Sequence, residues 1–221
     1  MTAEHLEASY GQRFIADLYD GVAFAVFAPA GGLGALRRAA LDRFGIATGD
    51  RVLELGCGSG GVTRLLCARG AQVTAVDWSV PMLNKARRRA PAAAFVRSEI
   101  TAFEPAAAAF DVVLFCFVLH ELDAPARGRA FQVAQHALKS DGRLAVVDHA
   151  VPERGVVARA ISRAVHGFEP ASSQGPWLRP GGAEAELAAA GFLPDQRSVL
   201  AAGLAFALAA TPAQPGGPGP G

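Results

Sequence analysis

The stretch RVLELGCGSGG, Arg51 to Gly61, decides the fold of this chain. A mostly apolar run of five residues is followed by four glycines within six positions. A strand that ends in a glycine-rich turn and opens a helix can place backbone N–H groups against a nucleotide. The glycines fit two spacings, Gly56-x-Gly58-x-x-Gly61 and Glu54-x-Gly56-x-Gly58-x-Gly60. The turn therefore predicts a nucleotide site and leaves its ligand open.

Composition narrows the class of protein around this turn. The 221 residues are 51% apolar and 19% charged, which indicates a globular chain with a sizeable core. A net charge of +1 gives no field for holding a phosphate backbone, so we expect no nucleic-acid partner. The three cysteines form no CxxC pair, which fits a reducing cytosol and indicates no metal site.

The N-terminal segment gives the expected location. Residues 1–14 are polar and charged where a signal peptide needs an apolar stretch, so we expect a cytoplasmic protein. The uncharged run over 21–36 is too short and too interrupted by Pro29 and glycines to span a bilayer. We therefore expect no stable membrane insertion, and the sequence is compatible with a homodimer.

Strand-like and helix-like segments alternate along the chain, which is typical of a doubly wound α/β sheet. We predict a helical cap over 1–48, a nucleotide-binding domain over 49–210 with an insertion at 151–180, and a disordered tail over 211–221. The fourth helix is expected to reach Lys139, before a turn at residues 140–142. Seven strands are predicted, over 51–55, 72–76, 94–97, 110–116, 143–147, 192–200 and 203–210.

Two acidic residues bear on the ligand. Asp77 ends the second predicted strand, 21 residues after Gly56, where a carboxylate can hydrogen-bond ribose hydroxyls. Glu54 lies two residues before that glycine, where an anion would repel the pyrophosphate of a dinucleotide and attract a cationic ligand. S-adenosylmethionine (SAM) brings an ammonium and a sulfonium group. Glu54 therefore favours SAM over NAD, although a solvated strand-end glutamate is the alternative.

Four segments together resemble the class I SAM-dependent methyltransferases: VLELGCGSG (Val52–Gly60), TAVDWS (Thr74–Ser79), FDVVLFCFVLHEL (Phe110–Leu122) and LKSDGRLAVVD (Leu138–Asp148). The resemblance covers about residues 48–150. It is closest in look to the quinone-biosynthesis-type C-methyltransferases and the bacterial phospholipid N-methyltransferases. It implies a seven-stranded Rossmann-like methyltransferase sheet, with N-terminal helices and a helical lid after the fifth strand.

The resemblance also implies a set of cofactor-binding residues. The glycines should lie against the methionine part of SAM, Asp77 on the ribose, and the residues after the second and third strands on the adenine. The end of the fourth strand should form the wall beside the methyl group. The implied residues are Tyr19, Glu54, Gly56, Cys57, Gly58, Gly60, Asp77, Trp78, Met82, Glu99, Ile100, Cys116 and Phe117.

Histidines supply the candidate catalytic groups. Methyl transfer needs alignment and exclusion of water, and a base only where the acceptor loses a proton. His120 follows the fourth strand and is the first candidate base, followed by His149 after the fifth strand and His166 in the insertion. A structural role for His120 is the alternative. We predict no metal, although the isolated carboxylates Asp148 and Glu169 leave that possibility open.

The acceptor is the vaguest part of the sequence. Apolar residues recur at helical spacing over 156–168 and precede Trp177, so the insertion could cover a hydrophobic substrate or could pack as a structural helix. We predict a SAM-dependent methyltransferase for a small, largely apolar acceptor at oxygen, carbon or nitrogen. The alternatives are a phospholipid N-methyltransferase at the membrane surface, a NAD-linked oxidoreductase and a non-catalytic SAM-binding protein.

Overall fold

The computed structural model describes residues 32–151 and 176–213. Several predictions concern residues outside these ranges. They are the role of Tyr19, the first two-thirds of the helical cap, the lid over 152–175 with His166 and Glu169, and the tail from residue 214 onward.

One mixed sheet organises the described residues. Its strands are β1 (Arg51–Leu55), β2 (Gln72–Asp77), β3 (Ala94–Arg97), β4 (Phe110–Cys116), β5 (Leu138–His149), β6 (Phe192–Pro194), β7 (Ser198–Leu200) and β8 (Ala205–Pro212). The order across the sheet is β3-β2-β1-β4-β5-β8-β6, and β7 also pairs with β8. Strands β1 to β5 are parallel, whereas β8 runs antiparallel to β5. The order reverses between β1 and β4, which is where open α/β sheets bind ligands.

The two short strands β6 and β7 together occupy the last edge of the sheet. Both pair with β8, β6 with residues 210–212 and β7 with residues 205–207. Between them Asp195 donates its backbone N–H to the carbonyl of Ala209. The strand predicted over 192–200 is thus an interrupted one, and the sheet has the seven positions expected. Strand β8 ends at Pro212, so placing the tail boundary at residue 211 is wrong by two residues.

Five α-helices surround the sheet in the described ranges. They are α1 (Gly32–Arg43), α2 (Gly61–Ala68), α3 (Val80–Arg89), α4 (Ala124–Ala137) and α5 (Gly182–Ala189). Short polar side chains begin two of them: Ser79 Oγ accepts from the N–H of Met82, and Asp123 Oδ1 accepts from the N–H of Ala126. Both are residue types that favour the start of a helix, so the local sequence accounts for where α3 and α4 begin.

The end of α4 differs from the prediction. The helix ends at Ala137, and the chain passes directly into β5 at Leu138. The ladder between β4 and β5 is irregular, because Phe110 pairs with Leu138 while Val112 pairs with Arg143. Residues 139–142, predicted as helix end and turn, therefore form a bulge within β5, where the extra residues leave the ladder.

Buried side chains form one core on each face of the sheet, since alternate strand residues point to opposite sides. Leu53, Phe115 and Val146 pack on one face, and Val52, Leu114 and Val147 on the other. Trp177 is fully buried in the first of these cores. Within residues 32–151 and 176–213, no helix is long and apolar enough to cross a membrane.

Candidate cofactor and acceptor site

The glycine loop after β1 is held against the end of β2. The N–H groups of Gly56 and Cys57 both donate to the carbonyl of Val76, at 2.8 and 3.0 Å. Gly56, Gly58 and Gly60 have φ angles of 79°, 52° and 79°, a left-handed conformation that glycine adopts without a steric penalty. The sequence therefore forms the tight turn because each bend has a residue without Cβ.

The three glycines have different surroundings. A Cβ on Gly56 would lie 2.6 Å from Cγ2 of Val118, and a Cβ on Gly60 would lie 2.7 Å from Cα of Ala86. Those two glycines allow the turn to pack against the β4 end and against α3. A Cβ on Gly58 would meet nothing within 4 Å. Gly58 therefore borders the open space of the loop, where a ligand can approach the backbone.

Asp77 fastens the loop to the end of β2. Its Oδ2 accepts from the N–H of Gly58 at 2.7 Å, and its Oδ1 accepts from the N–H of Ser79 at 2.9 Å. Burial raises the pKa of Asp77 above its ordinary value, and the backbone hydrogen bonds oppose that shift. The residue predicted to hold a ribose thus also shapes the loop. The ribose contact itself stays a prediction.

Glu54 is buried rather than solvated, since only 2% of the residue is exposed. Thr63 donates its hydroxyl to Glu54 Oε2 at 2.6 Å. Burial raises the pKa of Glu54 to about 7, against the opposing effects of the Thr63 hydrogen bond and the charge of Arg37. A carboxylate that is costly to ionise lies beside the loop, so a cationic group placed there would gain from ionising it.

Arg37, on α1, is a site residue that the sequence reasoning missed. A Cβ on Gly61 would clash with its guanidinium, which therefore lies over the first turn of α2. Its positive charge lowers the pKa of Glu54 and that of the Cys116 thiol, opposing the effect of burial on both groups. Its buried Nε has no hydrogen-bond partner among the described residues. Gly61, which the dinucleotide spacing uses, thus makes room for a cation next to the loop.

The four residues predicted to surround the adenine line the ends of β2 and β3. Trp78 and Met82 are half-buried, and the Trp78 carbonyl accepts from Arg97 Nε. Glu99 is exposed, and the half-buried Ile100 begins a 3-10 turn that packs on the core. Backbone hydrogen bonding joins the two strand ends, because Ser98 donates to the Asp77 carbonyl. The structure brings these residues to one edge of the sheet.

The end of β4 supplies Cys116 and Phe117. Burial raises the pKa of Cys116 to about 12 and also raises that of Cys57, so both thiols stay protonated. Phe117 has a φ of 54°, which is uncommon for a bulky residue and carries backbone strain. Its ring lies 4.8 Å from that of His149, measured between ring centroids. Strain of this kind at a strand end is typical of a functional site.

Both candidate bases lie beside this aromatic wall. The rings of His120 and His149 meet edge to face with centroids 4.6 Å apart, and each residue is largely buried. Nδ1 of His120 lies 2.5 Å from Oδ1 of Asp148. The fully buried Asp148 also accepts from the backbone N–H groups of His120 and His149. An aspartate on the Nδ1 side holds an imidazole in one orientation, as a general base requires.

Trp177 completes the surroundings of Asp148. Its Nε1 donates to Asp148 Oδ2 at 3.0 Å, and its ring packs on Phe131 and Phe206. The Arg127 guanidinium lies 5.2 Å from the indole centroid and makes a bidentate ion pair with Glu186. Burial favours the protonated acid, but His120, His149 and Trp177 together lower the pKa of Asp148 below its ordinary value. Asp148 is thus anionic.

The described carboxylates do not gather into a metal centre. In residues 32–151 and 176–213, no group of three or more His, Cys, Asp or Glu side chains could hold a metal ion. Asp148 is one of the two carboxylates that the sequence leaves open as a metal ligand. Its oxygens accept hydrogen bonds from N–H groups of His120, His149 and Trp177.

Comparisons with known proteins find methyltransferases. Residues 52–142 match the family model described as "Methyltransferase domain". The chain is 30% identical over 144 residues to the demethylmenaquinone methyltransferase of Renibacterium salmoninarum, covering 63% of this chain and 60% of that protein. It is 46% identical over 67 residues to the trans-aconitate 2-methyltransferase of Paracidovorax citrulli, covering 29% of this chain and 26% of that protein.

A solved structure extends the likeness over nearly the whole chain. The 1,6-didemethyltoxoflavin-N1-methyltransferase of Burkholderia thailandensis, solved with 1,6-didemethyltoxoflavin and S-adenosylhomocysteine, superposes with a TM-score of 0.63 at 20% identity. The alignment covers 97% of this chain and 92% of that one. At this identity the likeness concerns the fold. The chain spans between about a quarter and three-fifths of the length of the two curated relatives.

Proposed function

We propose that this chain, whose residues 52–142 match a methyltransferase domain, is a class I SAM-dependent enzyme that transfers a methyl group from SAM to a small, largely apolar acceptor. The relatives matched over part of their length are methyltransferases named for small molecules, among them menaquinone precursors and trans-aconitate. The step from domain to activity is our proposal, because the sequence matches cover only part of each relative.

A pair of opposite charges beside the glycine loop carries the proposal. Glu54 and Arg37 lie within Coulombic reach of each other, next to the open side of Gly58. The amino-acid end of SAM is a zwitterion. Its ammonium fits Glu54, and its carboxylate fits the Arg37 guanidinium, whose buried Nε lacks a partner among the described residues. A pyrophosphate would meet the Glu54 carboxylate unfavourably.

The residues of the chain bind SAM, orient the acceptor and exclude water from the site. Asp77 holds the ribose hydroxyls, with Trp78 and Met82 against the adenine. When bound, SAM supplies a methyl group on a sulfonium, which retains the C–S electron pair as it becomes S-adenosylhomocysteine. Phe117, His149 and His120 border the acceptor, and His120 takes a proton where the acceptor must lose one. The aromatic and apolar character of this wall favours an apolar acceptor.

Ligand-induced thermal shifts test the cofactor assignment. We expect SAM and S-adenosylhomocysteine, but not NADH, to raise the melting temperature of the purified chain. Arg37→Gln should weaken S-adenosylhomocysteine binding about 10- to 100-fold, the loss typical of a hydrogen bond to a charged group. Arg38→Gln is the matched control, because Arg38 is the exposed neighbour on the same helix. Stabilisation by NADH alone would contradict the proposal.

Methyl transfer itself needs a separate assay. Radiolabelled SAM incubated with the chain and a fractionated small-molecule extract should label a species in the apolar fraction. Tight S-adenosylhomocysteine binding without any labelled product would instead favour a SAM-binding protein without turnover.

A further inference from the structure

Asp148 lies next to His120 and His149, and both oxygens of its carboxylate accept two hydrogen bonds each. Oδ1 accepts from His120 Nδ1 and from the His149 N–H, while Oδ2 accepts from the His120 N–H and from Trp177 Nε1. A carboxylate offers about four lone-pair positions. All of them are used within the protein, so Asp148 is built to hold neighbours in place rather than to bind substrate.

We propose that Asp148, fixed by the indole N–H of Trp177, is a positioning residue that holds His120 as the Nδ1–H tautomer, so that Nε2 is the base for an acceptor carrying an acidic hydroxyl. This inference rests on the proposed function. Two donors to Asp148 come from the backbone of the histidines themselves, which ties the carboxylate to both strand ends. The third and fourth orient one imidazole and one indole.

Two contacts connect the cluster to the cofactor loop and to the rest of the fold. His120 lies two residues after Val118, whose side chain packs where a Cβ on Gly56 would be. On the other side, Trp177 lies under Arg127, which is anchored by Glu186 and by the carbonyl of Leu122. The imidazole is therefore positioned by a chain of contacts that reaches from α5 to the end of β4.

The proton balance follows from these contacts. The acceptor O–H bond breaks, its proton passes to Nε2 of His120, and the oxygen attacks the methyl carbon with an electron pair while the pair of the broken S–CH3 bond stays on sulfur. The resulting imidazolium is stabilised by the Asp148 carboxylate, and it returns the proton to water after the methylated product leaves. Anionic Asp148 lowers the cost of that charge in a buried site.

The same contacts disfavour an amine as the acceptor. An aliphatic amine enters as an ammonium and needs an open carboxylate. Both Asp148 oxygens already accept from protein donors. Glu54, whose charge reaches the neighbouring Cys116, is assigned above to the ammonium of SAM. A neutral phenol or enol brings its own proton and no charge.

Nitrogen NMR of the histidine side chains tests the positioning role without an acceptor. In the chain saturated with S-adenosylhomocysteine, long-range ¹H–¹⁵N spectra should show neutral His120 protonated at Nδ1, with the resonances identified by their loss in His120→Gln. Asp148→Asn should abolish that single tautomer. Trp177→Phe should keep it and raise the pH at which His120 titrates by about half to one pH unit, because the carboxylate loses a donor.

Phe131→Leu is the matched control, since it trims a ring that packs on Trp177 and leaves all four donors to Asp148. It should change neither the tautomer nor the titration. A His120 that is protonated at Nε2, or spectra that Asp148→Asn leaves unchanged, would overturn the positioning role. If the unmodified chain does not bind S-adenosylhomocysteine, the proposed function is overturned instead. The His120 tautomer measured in the ligand-free protein then tests the positioning role by itself.

A matched panel of acceptors tests the hydroxyl preference. Phenol, 1-naphthol and 1,4-dihydroxynaphthalene under reducing conditions are compared with benzylamine and 1-naphthylmethylamine. We expect methylation among the hydroxyl compounds only, and Asp148→Asn should reduce kcat at least tenfold with S-adenosylhomocysteine affinity within about twofold. Preferred methylation of an amine, or no methylation of any hydroxyl compound, counts against the acceptor class.

Discussion

Replacement of Glu54 by glutamine should stabilise the ligand-free protein at alkaline pH. Glutamine keeps an oxygen for the Thr63 hydroxyl and removes a buried group that ionises near pH 7. The folded state holds the proton of Glu54 more tightly than the unfolded chain, whose carboxyl has an ordinary pKa of 4.5. Unfolding therefore releases a proton between these values, and the free energy of unfolding falls as pH rises from about 4.5 to about 7.

The difference between the ordinary Glu54 pKa of 4.5 and the folded-state value of about 7 sets the size of the change in stability. It corresponds to about 3 kcal/mol in the free energy of unfolding at pH 8, with less than about 1 kcal/mol already lost at pH 5. We thus expect Glu54→Gln to exceed the unmodified protein by about 3 kcal/mol at pH 8 and to lie close to it at pH 5. Urea unfolding at both pH values measures this difference.

The same substitution should weaken the binding of SAM. Removing the carboxylate that faces an ammonium costs about 1.5–3 kcal/mol, or roughly 10- to 100-fold in affinity. In the unmodified protein, SAM affinity should rise with pH up to about 7 and then level off, because binding requires ionised Glu54. The control is Glu104→Gln at an exposed position. Equal stability gains at pH 5 and pH 8 would refute the assignment of a buried, costly carboxylate.

Further predictions follow from the loop and from the core beneath it. Gly60→Ala should destabilise the fold by about 1–3 kcal/mol because its Cβ meets helix backbone, whereas Gly58→Ala should chiefly block SAM binding; thermal melts with and without S-adenosylhomocysteine distinguish them. Asp77→Ala should weaken SAM binding by about 1–3 kcal/mol, measured by calorimetry, and also loosen the loop. Arg127→Met should cost about 2–3 kcal/mol in urea unfolding by leaving Glu186 without its partner, and the double substitution with Glu186→Leu should recover part of it.

The sequence was most informative where function depends on neighbours along the chain. The strand–glycine–helix unit and the carboxylate at the end of β2 are local patterns that the structure confirms, and the capping residues Ser79 and Asp123 account for the starts of α3 and α4. The same holds for β4, whose nearly continuous apolar run is typical of a strand covered on both faces. The alternation of strands and helices predicts a doubly wound sheet, and right-handed crossovers limit the possible strand orders without fixing one.

Residues brought together from distant parts of the chain were not predictable in the same way. Arg37 is one of many arginines in the sequence, and nothing near it marks it as a site residue. The pairing of His120 with Asp148, which are 28 positions apart in the sequence, depends on β4 and β5 ending side by side. Trp177 follows an apolar segment that the sequence leaves open as a lid or a structural helix, and its indole lies in the buried core on one face of the sheet. Apolar character alone does not say which surface a side chain covers.

One pattern connects the residues that the sequence missed with those it identified. Glu54 is buried at an energetic cost, a buried nitrogen of Arg37 lacks a partner among the described residues, and Phe117 carries a strained backbone. Each is unfavourable in the ligand-free fold, and each lies beside the open side of the glycine loop or at the strand end next to it. A ligand with both a cationic and an anionic group would relieve the first two at once. These three features destabilise the ligand-free fold, and they lie together at one edge of an otherwise well-packed sheet. Selection for stability alone would have removed them, so their presence indicates selection for binding.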